Sequence, residues 1–313
     1  MRLSDRVGRP IKLQDVHILM AVVQAGSMGK AAKTLNTSQP NISKSIADLE
    51  SALGVRLLDR HRQGIEPTKF GRALLDGGAA VFDELRQTVK NIDFLADPSA
   101  GEVRVGSNPL LAASFTSAVV DRLSRRYPRV SIHLATGYVD DLHRKLSERN
   151  VDLLIAWKIG PIAEDRLTFE FLFDDVCVVA TSPQNPLARR RNITLAELIN
   201  EPWVLPQRGT GMASLAMEAF RASGLDYPCT TVVTDSPHVR KSLLATGRFL
   251  TIFPASALKF PAQRSELKVL PVELPMPRVP SGIVTLKNRT LSPVTELFMS
   301  HARDVAKSFA KRV

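Results

Sequence analysis

The chain has 313 residues and a formal net charge of +11 at pH 7. That length allows one small and one larger domain, and the excess of Lys and Arg suits a polyanionic partner. No apolar run is long enough for a membrane span and no hydrophobic signal segment opens the chain, so no membrane partner is expected and the expected location is the cytoplasm.

Val16, Leu19, Met20 and Val23 fall at helical spacing and predict a first helix over about residues 12–25. Gly26 ends it. Ser27 can cap a second helix whose inner face is Met28, Ala31, Ala32 and Leu35. The paired alanines let two helices cross closely. Thr37 and Ser38 supply a turn and a cap, and Pro40 falls in the first turn of a third helix, where its missing N–H costs nothing. That helix buries Ile42, Ile46, Leu49 and Leu53 and stops at Gly54. Ser38, Gln39, Pro40, Asn41, Ser43 and Lys44 are left around its exposed start. Polar and basic groups there can reach base edges and phosphates, as a recognition helix in the major groove requires. Residues 55–60 and 65–67 predict a two-stranded wing around a turn at residues 61–64, with Arg60, His61 and Arg62 placed to meet phosphates. Helical protein–protein modules share the three helices. The order of cap, alanine pair, turn, polar helix start and basic wing favours DNA.

These residues resemble the LysR-type transcriptional regulators. The resemblance is carried by Gly26-Ser27, Ala31-Ala32, Leu35, Ser38-Gln39-Pro40, Ser43-Lys44, Leu49-Glu50, Leu53-Gly54 and Leu57-Leu58-Asp59-Arg60, with Thr68 and Gly71 after them. It adds Thr68 to the DNA-facing set. His17 and Met28 stand where the family often has Phe, and Lys44 stands where Arg is usual. Lys lacks the bidentate fork of Arg, so the base preference at that contact should differ.

Residues 68–95 predict one long helix with an apolar stripe of Leu74, Leu75, Gly78, Val81, Phe82, Leu85, Val89 and Ile92. A partner helix from a second chain is the simplest cover for it, with packing on its own chain as the alternative. The resemblance favours an antiparallel helix pair, hence a homodimer with pseudo-palindromic half-sites, and a homotetramer built as a dimer of dimers. Gly77-Gly78 implies close backbone approach or a bend. Pro98 to Gly101 predicts a hinge.

Beyond it, strands at residues 102–106, 130–135 and 151–156 alternate with helices at 110–127 and 140–149, the pattern of a parallel α/β sheet. Two adjacent strands follow within residues 169–180, then a short helix at 194–199 and a strand at 203–205. A helix at 210–223, a strand at 230–233, a helix at 236–246 and a strand at 249–253 ended by Pro254 come next. Strands at 267–274 and 281–287 and a terminal helix at 291–311 close the chain. Composition supports only the α/β class. The resemblance implies a two-lobed, periplasmic-binding-protein-like effector domain. The expected layout is a winged helix-turn-helix domain over 1–67, a linker and dimerisation helix over 68–97, and an effector domain over 98–313. Its first lobe would take residues 101–172 and 277–313 and its second 176–272, with crossings near 172–176 and 272–277.

Ligands of open α/β units sit beyond the carboxyl ends of strands, beside helix starts. Ser107, Asn108, Thr136, Gly137, Trp157, Gln207, Arg208, Thr210, Ser236 and His238 meet that condition, and they match the family's effector-contact regions. Hydroxyls and free N–H groups at helix starts suit an anion, most simply a carboxylate. Arg208 or Lys158 could pair with it, and Trp157 or Tyr138 could cover an apolar portion. Helix capping explains each polar residue equally well.

The two cysteines, Cys177 and Cys229, lack metal-ligand spacing, and Cys177 lies in an apolar run that predicts a buried thiol. No phosphate loop, metal-spaced His or Cys set, or Gly-x-Ser-x-Gly element signals an enzyme. The expected protein is a sequence-specific regulator that binds double-stranded promoter DNA. It uses no cofactor and answers to a small, anionic co-inducer of unknown identity, with RNA polymerase a candidate partner. The competing expectation is an effector-independent oligomeric repressor or architectural DNA binder.

Overall fold

The computed structural model describes residues 11–61, 64–159, 166–258 and 266–310. The chain divides into two compact units, Met1–Val89 and Lys90–Val313.

In the first unit, α1 (Leu13–Ala25) ends where Gly26 takes φ +66°, a left-handed conformation that costs glycine little. The Ser27 side chain accepts from Lys30 N at 3.2 Å and starts α2 (Met28–Thr34). Ser38 does the same for α3 (Gln39–Leu53), accepting from Asn41 N at 3.4 Å. Leu19, Val22, Ala31, Ile42, Ile46 and Leu49 are fully buried between the three helices, while Leu35 and Leu53 are half-buried at the edge of this core. The wing pairs β1 (Leu58–His61) with β2 (Gly64–Pro67) in antiparallel register, and Ile65 N donates to Gly26 O to tie it to the α1–α2 turn. The first wing strand begins at Leu58, not at Val55. The Glu50 carboxylate explains the delay, because it accepts the N–H groups of Leu57 and Leu58 at 2.7 and 3.2 Å and bends the chain there.

Helix α4 (Lys69–Ala96) starts on a Thr68 cap. Its apolar stripe divides in two. Leu74 and Leu75 pack on the helical core, and the Phe82 ring lies 5.5 Å from the His17 ring. Val81, Leu85 and Val89 stay about half exposed, at 45%, 46% and 55%. Packing on its own chain therefore covers one side of the stripe only. The two glycines also separate. A Cβ on Gly78 would stand 2.6 Å from Val16 Cγ1, whereas one on Gly77 would meet open space. Gly77→Ala is thus expected to raise stability by up to about 1 kcal/mol by removing helix-interior glycine. Gly78→Ala should lower it, since α1 must give way. Thermal melts of the two variants check the opposite signs.

The second unit holds a five-stranded sheet in the order β4-β3-β5-β12-β6. Its members are β3 (Ala100–Ser107), β4 (Arg129–Thr136), β5 (Leu153–Trp157), β6 (Leu167–Asp175) and β12 (Val279–Leu286). β3 runs parallel to β4 and β5, as strand–helix–strand spacing requires. β12 is antiparallel to both its neighbours, so the sheet is mixed where a parallel one was expected. The predicted hinge is shorter than expected, because β3 already begins at Ala100 and Asp97 turns the chain by accepting from Ser99 N at 3.0 Å. The helix predicted from Leu110 to Tyr127 is broken into α5 (Pro109–Leu111), a π-helical segment (Ala112–Thr116) and α6 (Ser117–Arg126). It packs with α7 (Val139–Ser147) and the terminal α10 (Pro293–Ala310) around the sheet, burying Val103, Val105, Phe115, Leu123, Ile155 and Phe298 on the larger face.

A second set of strands follows Asp175. β7 (Cys177–Thr181) lies between antiparallel β10 (Thr251–Pro254) and β11 (Lys268–Val269). β8 (Trp203–Leu205) runs parallel to β9 (Thr230–Val233), flanked by α8 (Gly211–Ala222) and α9 (Pro237–Ala245). Trp203 anchors this core. It is fully buried, donates from Nε1 to Leu198 O at 2.8 Å, and meets Phe220 edge-on at 5.8 Å. β10 ends at Pro254, as expected, though it begins at Thr251 and not at Phe249. Two further expectations fail here. The strand expected over 267–274 shrinks to Lys268–Val269, since Val272 and Leu274 pack into the core. The helix expected over 194–199 is a single 3₁₀ turn.

Asp175 marks the passage between the two sets of strands. Its buried carboxylate accepts from Val176 N and from the Ser256 N–H and hydroxyl. Burial pushes its pKa up against these hydrogen bonds. A second buried charge closes the other end of the sheet. Arg289 donates to Val151 O at 2.8 Å and to Asp152 Oδ1 at 3.0 Å, and Asp152 also accepts from Arg104 N and pairs with Lys90.

Cys177 is buried, as expected, and burial with the nearby Asp175 charge pushes its thiol up to about 12. Cys229 is exposed. Thiol titration of the folded protein at pH 8 should therefore find one fast-reacting group, and the second should react only after unfolding.

Candidate functional site

Two surfaces collect the predicted residues. The first is the start of α3. Ser38, Gln39, Pro40, Asn41 and Lys44 are exposed there and Ser43 is half-buried. Ser38 spends its side-chain oxygen on the helix cap, and Asn41 Nδ2 donates to Thr37 Oγ1 at 3.3 Å. The Gln39 and Lys44 side chains make no hydrogen bond or ion pair among the described residues and are free to engage a partner. Arg60 is exposed on β1, while Arg62 lies outside the described residues. Thr68 is turned inward. Its hydroxyl donates to Arg56 O at 2.8 Å and accepts from Gly71 N at 3.1 Å, which makes it the cap of α4. Lys30 and Lys33, exposed on α2, add cations that the sequence pattern does not assign to the site.

The second surface is a cavity of about 430 Å³ between the two lobes of the second unit. The five-stranded lobe contributes Asn108, Leu110, Tyr138, Leu142, Trp157 and Ile159. The other contributes Thr210, Met212, Asp235 and Arg240. Contacts across the cavity include the following two. Tyr138 Oη donates to Asp235 O at 2.8 Å, and Ile159 presses so closely on Gly211 that a Cβ there would stand 2.7 Å from its Cγ2.

Of the ten expected effector residues, Asn108, Trp157 and Thr210 line this cavity. The Asn108 and Thr210 side chains also cap α5 and α8. Ser107 does not line it. It is fully buried, with its hydroxyl 3.1 Å from Thr116 Oγ1. Thr136 and Gly137 fall outside the lining, as do Gln207, Arg208, Ser236 and His238. Ser236 caps α9, and Arg208 stacks over Tyr227 at 5.6 Å. Lys158 lies over the Phe169 ring at 5.5 Å and is likewise no part of the wall. The Trp157 N–H is buried with no hydrogen-bond partner among the described residues.

The cation that does line the cavity is Arg240, which sequence reasoning missed. It is 3% exposed. Its Nη2 donates to Thr234 O at 3.2 Å and its Nη1 to Ile252 O at 3.4 Å, its guanidinium lies 5.3 Å from the Phe253 ring centroid, and Nε has no hydrogen-bond partner among the described residues. Burial pulls its pKa down, and the Asp235 carboxylate opposes that. The signal was spacing. Arg240 and Leu244 are the two buried residues of α9, four apart, so a cation occupies a core position of an amphipathic helix.

A winged helix-turn-helix followed by a long helix and a two-lobed α/β domain with an inter-lobe cavity defines a DNA-binding regulator with effector-binding lobes. The profile of the bacterial regulatory helix-turn-helix protein, lysR family, matches residues 13–72, and that of the LysR substrate binding domain matches residues 96–307. The chain belongs to the LysR family of bacterial transcriptional regulators. It is 27% identical to the uncharacterised HTH-type transcriptional regulator YdcI of Escherichia coli K12, over 97% of this chain and 98% of that one. A full-length OxyR from Pseudomonas aeruginosa, solved with one cysteine replaced by aspartate, has a similar fold, with a TM-score of 0.66 at 20% identity, covering 96% of this chain and 97% of that one. Full-length CbnR complexed with its target DNA gives a TM-score of 0.54 at 20% identity over 95% of this chain and 100% of that one. Membership makes the protein a regulator and not an enzyme. Among the described residues no helix is long and apolar enough to cross a membrane, and no group of His, Cys, Asp or Glu could hold a metal.

Proposed function

We propose that this chain is a cytoplasmic, sequence-specific regulator whose DNA binding is set by a small metabolite with an anionic group, held between the lobes. Its working parts are the helix-turn-helix over 1–67, the linker helix over 68–97 and the effector domain over 98–313. The lobes within the last take residues 101–172 with 277–313, and 176–272. The observation that carries the ligand half of this reading is Arg240, the guanidinium of the cavity wall, which is buried over the Phe253 ring and whose Nε has no hydrogen-bond partner among the described residues. Asn108, Trp157 and Thr210 act with it. Ligand binding would favour one lobe arrangement over another, and only a difference in affinity between the two can shift the population.

Gln39, Ser43 and Lys44 read bases, and Arg60 with Arg62 steadies the wing on phosphates. The free Gln39 and Lys44 side chains support this, and so does the relative solved on its target DNA. The linker helices join two chains into a homodimer, and two dimers into a tetramer. Gln39→Ala or Ser43→Ala should weaken binding to the selected site by about 10- to 100-fold, in line with the loss of one base contact. Binding to random duplex should barely change. Equal losses on both duplexes would show that α3 does not read sequence.

A further inference from the structure

The charges in the cavity wall specify more than an anion. The charged side chains of the wall, among the described residues, are the Arg240 guanidinium and the carboxylates of Asp140 and Asp235. Asp235 is close enough to Arg240 to act on its charge, and only Gln207 N, at 3.1 Å, donates to its carboxylate among the described residues. A purely anionic ligand would satisfy Arg240 and be repelled by Asp235. A dianion would fare worse, because Arg208 and Lys158, the cations that could balance it, are not part of the wall. The rest of the wall is mostly hydrocarbon, with Leu110, Leu142, Leu154, Ile159 and Met212 in it. A sugar or phosphate ester would set its hydroxyls or phosphate oxygens against these groups.

We propose that the ligand is a zwitterion with an apolar body, most simply an α-amino acid with a branched hydrocarbon or aromatic side chain. Its carboxylate pairs with the Arg240 guanidinium, its ammonium with the Asp235 carboxylate, and its side chain fills the space between Leu142, Ile159 and Met212. The inference rests on the cavity being the effector site and deepens that reading. A guanidinium and a carboxylate on one wall give the ligand's polar end an orientation, and the apolar remainder selects its body.

Calorimetric titration of the full chain tests this with three probes of each body shape. L-leucine is compared with 4-methylpentanoate, which lacks the amine, and with isoamylamine, which lacks the carboxylate. L-phenylalanine is compared with 3-phenylpropanoate and 2-phenylethylamine. One of the two amino acids should bind, and deleting either charged group should weaken it at least tenfold. Arg240→Gln should weaken the amino acid and the acid but not the amine. Arg240→Lys keeps a cation at the site should the Gln variant fail to fold, and it should retain part of the affinity. Asp235→Asn keeps an acceptor for Gln207 N and should erase the preference for the amino acid over the acid. If the acid binds as tightly as the amino acid and Arg240→Gln still weakens it, the zwitterion is wrong and the effector site stands. If neither amino acid binds, the zwitterion is also wrong. If a probe binds and filling the cavity with Leu142→Trp leaves its affinity unchanged, the cavity is not the effector site and both readings fall.

Discussion

Leu85→Asp should turn the protein into a monomer in sedimentation velocity and lower its affinity for a palindromic site by about 10²- to 10⁴-fold, the advantage lost when two linked binding units separate. The residue lies midway along the exposed part of the α4 stripe. Val81, Leu85, Val89 and Ile92 are spaced four, four and three residues apart, and each is about half exposed. That spacing puts all of them on one helix face. The other side of the stripe already packs on its own chain through Leu74, Leu75, Gly78 and Phe82, so the exposed face is what remains for a second copy. Burying one leucine contributes about 1.5–3 kcal/mol, and an unpaired carboxylate inside an apolar seam costs more than that gain. Circular dichroism should show unchanged helix content. An unchanged sedimenting mass would mean that α4 does not join the chains.

Arg289→Ala is expected to lower the unfolding free energy by about 3–5 kcal/mol, the range for removing one partner of a buried ion pair. The guanidinium is 2% exposed and the Asp152 carboxylate 4%. Removal strands that carboxylate and takes the donor from Val151 O and Asp152 O. Lys90, 3.6 Å from Asp152, offsets part of the charge, so the loss should sit toward the lower end of the range. Replacing the pair by Met and Asn should recover much of it, because an apolar side chain beside a neutral amide leaves no buried charge. Denaturant midpoints of the two variants make the comparison. A loss below about 1 kcal/mol for Arg289→Ala would show that water reaches the pair.

The helix-turn-helix was legible because its signals are local. Ser27 and Ser38 cap the helices they precede, and Gly26 and Gly54 take the left-handed conformation that ends two of them. The strands and helices of the α/β unit were legible as periodicity. What escaped were outcomes set by distant residues. Glu50 delays the wing strand from seven residues away, and Thr68 turns inward to Arg56. β12 returns from the second lobe to pair antiparallel with β5 and β6, which no run of local sequence encodes. The cavity shows the same limit. Position beyond a strand end found Asn108, Trp157 and Thr210, but Ser107 satisfies its hydroxyl on Thr116, an interaction invisible to that rule. Arg240 was hidden because a cation in a helix reads as solvent-facing until its burial is known.

The proposed function has this chain read DNA sequence as a symmetric assembly. The direct measurement is selection of a binding site from random-sequence duplex by the full chain, followed by footprinting and titration on that site and on unselected duplex at one salt concentration. The expected result is a protected pseudo-palindrome with half-sites a whole number of helical turns apart, bound at least about 10³-fold more tightly than random duplex. Enrichment of no sequence, with equal affinity for both duplexes, would contradict it.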